Sequence, residues 1–268
     1  MKYLIIILTL LSFSACSPYN QKRNLNGKKL PERILYVTNP KSKDTLCISE
    51  KERAKKDIEN GKIVFIQGAG FGFGDIRYED ELKELCEQYG LAFDFEPISC
   101  VLVKGQTEGC YSDYMDKVIF EKYGIGFKED LHKKADSLFI AKTQTENTLV
   151  KYWDCDERPK LPNKTKRTND YLPSITIDSP DIKEKKEEYG GWPFFDIGFI
   201  IEKDSTVSGF YINDFVPKLE ENKKHEDELF ELVVKHIKTN YPIWVPGKIN
   251  GLSVRTNNIV RIGISKNQ

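Results

Sequence analysis

Histidine and methionine are scarce in this chain, with three and two residues in 268. His132, His225 and His236 are scattered, and no H-x-x-x-H spacing occurs, so a histidine-bound metal has no support. Charge of either sign is not in excess. Lys+Arg number 41 and Asp+Glu number 41, which excludes a general nucleic-acid binder carrying a basic stripe. No C-x-x-C is present, so a redox dithiol or a zinc ribbon is not expected. No G-x-S-x-G marks a nucleophile elbow. A mean hydropathy of −0.50 excludes a polytopic membrane protein. These absences leave no cofactor and no metal to expect, and they point to a non-catalytic protein.

What is present begins with an address. Lys2 gives a positive start, an apolar run follows from Leu4 to Phe13, and Ser14, Ala15 and Cys16 close it. A run of about ten residues is far short of the roughly 20 that span a bilayer, and it fits a cleaved secretory signal. Phe13-Ser14-Ala15-Cys16 resembles a bacterial lipobox, in which the cysteine is lipidated and becomes the mature N-terminus. The resemblance implies a signal peptide at 1–15 and a lipid anchor at Cys16. It also implies a place in the bacterial cell envelope, on the outer membrane facing the periplasm. Two or more acyl chains make such an anchor stable. Residues 16–30 are polar and lack apolar periodicity, as a tether would.

The remaining cysteines are Cys47, Cys86, Cys100, Cys110 and Cys155. An oxidising compartment permits disulfides, and an odd count leaves one thiol over. Cys100 and Cys110 flank a short Gly-containing segment and form the expected local pair. Cys86 recurs with Leu82, Leu85 and Tyr89 at helical spacing and is expected to be free and buried.

The chain reads as α+β with two domains. The first, residues 31–155, is a mixed α/β domain of unreadable topology. Its expected strands are Arg33–Thr38, Lys62–Gln67, Leu91–Phe95 and Cys100–Val103. Its expected helices are one opened by a Ser49–Glu52 capping box and closed at Asn60-Gly61, then Tyr78–Tyr89, Tyr111–Tyr123 and Glu129–Phe139. Residues 156–188, with four prolines among alternating charges, read as a linker. The second domain, residues 189–268, reads strand, strand, helix, strand. The strands are Phe195–Lys203, Thr206–Ile212 and Ser253–Ile264, and the helix is Glu226–Thr239. One helix on a small antiparallel sheet is the economical arrangement.

Trp244-x-Pro246-Gly247-x-x-Asn250-Gly251-x-x-Val254 follows that helix. It resembles the closing motif of the TonB C-terminal domain family, and the Ile200–Val207 segment resembles that family's hairpin, with Ser205 where glycine is usual. The resemblance covers about a quarter of the chain. It implies binding of an envelope protein, such as an outer-membrane transporter or its plug segment, by strand addition at a sheet edge. Trp244 itself is expected to pack in the core.

Two features of the first domain suggest a different role. Gly68, Gly70, Gly72 and Gly74 alternate after a strand, but G-x-G-x-x-G fails at Phe73 and Asp75. A ligand-covering flap is the remaining functional reading of that loop. Asp113 and Asp116 pair two carboxylates near Tyr111 and Tyr114. They read as first-turn helix acids or as an acid–base pair. The alternative function is therefore an extracytoplasmic enzyme or ligand receptor with its site in the first domain.

Overall fold

The computed structural model describes residues 30–70, 75–97, 103–161, 175–186 and 191–266. Cys16 and Cys100 lie outside them, as do residues 71–74 of the glycine loop. In chain order the elements are α1 (Glu32–Thr38), α2 (Thr45–Glu59), β1 (Val64–Ala69), α3 (Glu79–Gln88), β2 (Ala92–Pro97), α4 (Cys110–Tyr123), α5 (Phe127–Thr145), β3 (Val150–Lys151), β4 (Ile175–Asp178), β5 (Phe194–Ile201), β6 (Val207–Val216), α6 (Glu226–Asn240), β7 (Lys248–Ile249), β8 (Leu252–Ser253) and β9 (Thr256–Ser265). The fold is mixed α+β. Among the described residues no helix is long and apolar enough to cross a membrane.

The chain divides into two compact units, one holding residues 1–74 and 86–130, the other 75–85 and 131–268. The division expected near residues 155 and 189 is not where the units part. The expected linker also contributes structure. Ile175 and Ile177 are buried on β4, and Leu161 and Ile182 join the same core. The I-x-I alternation of this short strand is masked in the sequence by the charges around it.

In the first unit β1 and β2 pair in parallel, from Val64↔Ala92 to Ala69↔Pro97. Val64, Ile66, Ala54 and Met115 pack together between this pair and helices α2 and α4. Two expectations fail here. Arg33–Thr38 is a helix, because Ile34 and Val37, three apart, are the residues it buries while Leu35 stays exposed. Its β-branched content suggested a strand. Helix α2 starts at Thr45 and not at Ser49. Asp44 caps it by accepting from the Cys47 N–H at 3.2 Å, whereas the Ser49 hydroxyl donates to the Leu46 carbonyl inside the helix. Asn60 and Gly61 (φ 79°) close α2 as expected, and Gly90 (φ 68°) follows α3.

The disulfide expectation fails as well. Cys110 is bonded to Cys47, with Cα atoms 5.1 Å apart, so it is not available to Cys100. Closeness in sequence favoured the short loop. The packing of α2 against α4 sets the actual pair, 63 residues apart. Cys86 is free and buried, as expected, and so is Cys155. Burial pushes the Cys86 thiol up to about 12, so it is an inert apolar filler.

In the second unit the sheet order is β3-β9-β5-β6, with β4 also on β9. β5 pairs antiparallel with β6 and β9, while β3 and β4 run parallel to β9. The sheet is thus mixed and not purely antiparallel. Helix α6 lays Leu229, Val233 and Ile237 into a core shared with Phe195, Phe199, Trp244 and Ile262. Trp244 is 2% exposed, meets Phe199 edge-on at 4.9 Å and donates its indole N–H to the Tyr241 carbonyl at 2.9 Å. Asn250 (φ 50°) and Gly251 (φ 76°) turn β7 into β8, as the Asn-Gly pair predicts. Gly247 is buried against Cys155 and Thr256. A Cβ there would lie 2.6 Å from the Cys155 sulfur. Ser205 holds φ 77°, the region glycine enters freely, and Asp204 steadies the turn by accepting from the Thr206 N–H and hydroxyl.

Candidate functional site

Parallel strands leave a crevice beyond their carboxyl ends, where the chain departs to either side. The first unit has an open cleft of about 1170 Å³ there. The register places Ile66 beside Asp94 and Gly68 beside Glu96. Successive residues of a strand face opposite ways, so Asp94 and Glu96 share one face and Phe93 and Phe95 the other. Gly68, the register partner of Glu96, carries no side chain.

Helix α4 forms a wall of the cleft. Its first two N–H groups, from Cys110 and Tyr111, are already taken by the Glu50 carboxylate, at 2.7 and 3.4 Å. Glu50 therefore occupies the position an anion would otherwise seek at a helix N-terminus. The disulfide ties Cys110 to α2 at the same point. Asp44 secures the adjoining loop, accepting from the Thr107 N–H at 3.0 Å and the Tyr36 hydroxyl at 2.7 Å. Burial works to raise the Asp44 carboxyl, but its hydrogen bonds from Thr107, Tyr36 and Cys47 hold it below the usual aspartate value.

Asp113 and Asp116 lie one turn apart on α4, and both line the cleft. Arg33 Nε donates to Asp113 at 2.9 Å, and Arg33 Nη2 donates to the Glu108 carbonyl at 2.6 Å. A side chain at residue 109 would crowd that guanidinium. A Cβ on Gly109 would stand 2.9 Å from it, and the backbone there has φ 77°. Lys128 donates to Asp116 at 2.7 Å and to the Ile66 carbonyl at 3.0 Å, with the Phe65 ring 4.6 Å away. Burial raises both carboxyls above the ordinary aspartate value, against the pull of Arg33 on Asp113 and of Lys128 on Asp116. The Arg53 guanidinium sits 4.2 Å above the Tyr111 ring, whose hydroxyl donates to Asp57 at 2.7 Å. Burial first, and then that bond, raise the Tyr111 phenol well above its usual value.

Chemically the cleft offers charges of both signs, half-buried at Asp113, Asp116 and Lys128 and exposed at Arg33, Arg53 and Asp94. Among the described residues no group of histidine, cysteine or carboxylate side chains is arranged to hold a metal. The Ser112 hydroxyl donates to the Gly109 carbonyl, which leaves it unactivated as a nucleophile.

Of the sequence candidates, Asp113 and Asp116 are brought together in the cleft, and Gly68 lines it. Trp244, Gly247 and Val254 are buried in the second unit, Pro246 is half-buried, and Asn250 and Gly251 form the exposed turn. Sequence reasoning missed Arg33, Glu50, Asp94, Glu96 and Lys128. A signal for two of them existed. In Leu91-Ala-Phe-Asp-Phe-Glu-Pro97 the acids alternate with aromatics, which marks one polar strand face.

The second unit offers a different surface. Among the described residues β6 pairs only with β5, and its ladder shifts register twice, between Asp196/Ile197 and Gly198/Ile200. The Tyr211 ring covers Gly198, where a Cβ would fall 2.0 Å from it. No family model, no curated protein and no solved structure matches the chain.

Proposed function

We propose that this is a non-catalytic envelope protein, lipid-tethered through Cys16, whose first unit binds a polar small molecule in the cleft at the ends of β1 and β2. The observation that carries this reading is the open cleft itself, lined by charged side chains of both signs from α1, α2, β2, α4 and α5. Asp113 and Asp116 are half-buried on its wall, at 15% and 22% exposure, and Arg33 and Lys128 offset the cost of charging them there. The test is mass spectrometry of the full chain recovered from bacterial envelope under native conditions. A small molecule should accompany the wild type and be lost from Asp116→Asn. Recovery of the bare wild-type chain would contradict the reading. The tether is tested separately, because Cys16→Ser should free the protein from membranes.

A second reading rests on the second unit. The strand, strand, helix, strand order and an edge of β6 that is unpaired among the described residues favour strand addition by an envelope protein partner, as in TonB-like domains. The outer-membrane transporter or its plug segment is the partner that this likeness implies. A photo-crosslinking side chain at the exposed Asn213 should then capture an envelope protein. The two register shifts weigh against this reading, since bulges protect natural edges from pairing.

A further inference from the structure

We propose that Asn250 is a site of spontaneous covalent modification, deamidation through a cyclic imide, and that the fold singles it out from Asn60. This goes beyond the binding reading and does not depend on it. Asn-Gly occurs at 26–27, 60–61 and 250–251. The first lies outside the described residues. Deamidation begins when the backbone nitrogen after an asparagine attacks its side-chain amide, and glycine there puts no side chain in the way. Asn60, Gly61, Asn250 and Gly251 are all exposed, so exposure does not separate the two pairs. Their backbone hydrogen bonds do. Asn60-Gly61 closes α2, where the Asn60 N–H donates to the Lys56 carbonyl at 3.1 Å, Gly61 to Ile58 at 2.9 Å and Lys62 to Asp57 at 2.8 Å. The nitrogen that would attack is engaged. Asn250-Gly251 is the turn between β7 and β8, and among the described residues the Gly251 N–H has no acceptor. That turn is held at Asn250 by one bond, from its N–H to Asp156 at 2.7 Å, and by strands of two residues each. Little has to open before Gly251 can swing onto the amide.

The step needs only water and hydroxide. Hydroxide takes the Gly251 N–H proton, and the nitrogen attacks Asn250 Cγ. The new N–Cγ bond replaces the Cγ–Nδ2 bond. Nδ2 leaves as ammonia after taking a proton from water, which restores the hydroxide. Water then opens the imide. Cleavage at Cγ leaves aspartate, and cleavage at the backbone carbonyl leaves isoaspartate. Nothing is oxidised or reduced. Either product puts a carboxylate beside Asp156, which already accepts from Arg77 and from the residue-250 N–H. Isoaspartate also adds a carbon to the main chain of a two-residue turn. The pairing of Ile249 with Leu252 is set by that turn, and Ile249 is fully buried among Phe139, Val150, Cys155 and Val254.

Peptide mapping by mass spectrometry of the full chain, aged in mildly alkaline buffer, tests this. The folded chain should convert Asn250 at least about tenfold faster than Asn60, since fewer backbone bonds have to open there. In the chain unfolded by guanidinium the two pairs should react at similar rates. Asp156→Ala, which frees the Asn250 N–H, should speed conversion at Asn250 and leave Asn60 unchanged. Equal rates in the folded chain, or an intact Asn250 after a time in which the unfolded chain has reacted, would overturn the assignment. A preference for Asn250 that persists in the unfolded chain would overturn it too, by tracing the difference to the neighbouring residues. An Asn250 rate indifferent to Asp156→Ala would contradict the turn opening on which the attack depends.

Discussion

The two units spend their polar residues differently. In the first, carboxylates and cations from α1, α2, β2, α4 and α5 converge on an open cleft, and a disulfide fixes the helix that carries two of them. In the second, the ionic contacts are struts. Arg77 is held by Asp136 at 2.7 Å and Asp156 at 2.6 Å, and Asp156 also accepts from the Asn250 N–H at 2.7 Å, which pins the β7–β8 turn. Arg261 grips its register partner Asp196 through two bonds of 2.8 and 2.7 Å. These struts stand beside a core of buried aliphatic and aromatic side chains, and a smaller cleft of about 350 Å³ in this unit is lined by Asp75, Asp80, Lys142 and Asp154 among others. The difference is one of arrangement: the second unit's ion pairs brace strands and a turn beside its core, and the first unit's charges line an open cleft.

The contrast can be broken from either side. The largest effect should come from Trp244→Ala. Emptying a core position of this size costs about 3–5 kcal/mol, and the Tyr241 carbonyl loses its donor. Denaturant unfolding should show the second unit lost first, with the disulfide and the cleft of the first unit intact. An unchanged midpoint would make Trp244 a surface contact. Next is the Cys47→Ala/Cys110→Ala pair. Opening a crosslink with a sequence separation of 63 should cost the first unit about 4 kcal/mol on the chain-entropy account, and should leave the second unit unmoved. Reductant should reproduce the effect in thermal scans. A smaller loss, about 1–3 kcal/mol, is expected for Gly247→Ala, because the new methyl would overlap the Cys155 sulfur and the Thr256 hydroxyl. Adding Cys155→Ala should recover part of it.

The smallest effect is a pH dependence that belongs to the first unit. Asp113 and Asp116 have raised carboxyls in the folded state, so folding favours their protonated forms. Their contribution is complete below the ordinary aspartate value of 3.8 and is lost as pH rises through their folded values. The stability of wild type relative to Asp113→Asn/Asp116→Asn should therefore grow as pH falls from neutrality toward 3.8. Asp44, lowered in the folded state, works the other way, and its contribution is lost on acidification below 3.8. A wild-type-minus-variant difference that is flat with pH would remove the burial argument for these two carboxyls.

The sequence made some of this readable and hid the rest for identifiable reasons. Helix α6, the β5–β6 hairpin, the Asn250-Gly251 turn and buried Trp244 were legible because local periodicity and turn chemistry agree with the tertiary packing there. Helix α1 was misread because Ile, Val and Thr favour strands locally, while the packing of Ile34 and Val37 decided the outcome. β4 escaped notice because its pairing with β9 reaches across most of the second unit's sequence. Most of the cleft was illegible for the same reason. Arg33 and Asp113 meet across 80 residues, and Glu50 reaches the start of α4 across 60. No local pattern records such meetings. Asp113 and Asp116 stood out only because helical spacing sets them on one side of α4.

The central claim is that the ligand site lies in the first unit and not along β6. Amide hydrogen exchange of the full chain, with and without the small-molecule and protein fractions of an envelope extract, tests it most directly. The account predicts that the small-molecule fraction slows exchange at the ends of β1 and β2 and over the first turns of α4, and leaves Val207–Val216 unchanged. Slowed exchange confined to Val207–Val216, and only with the protein fraction, would contradict it.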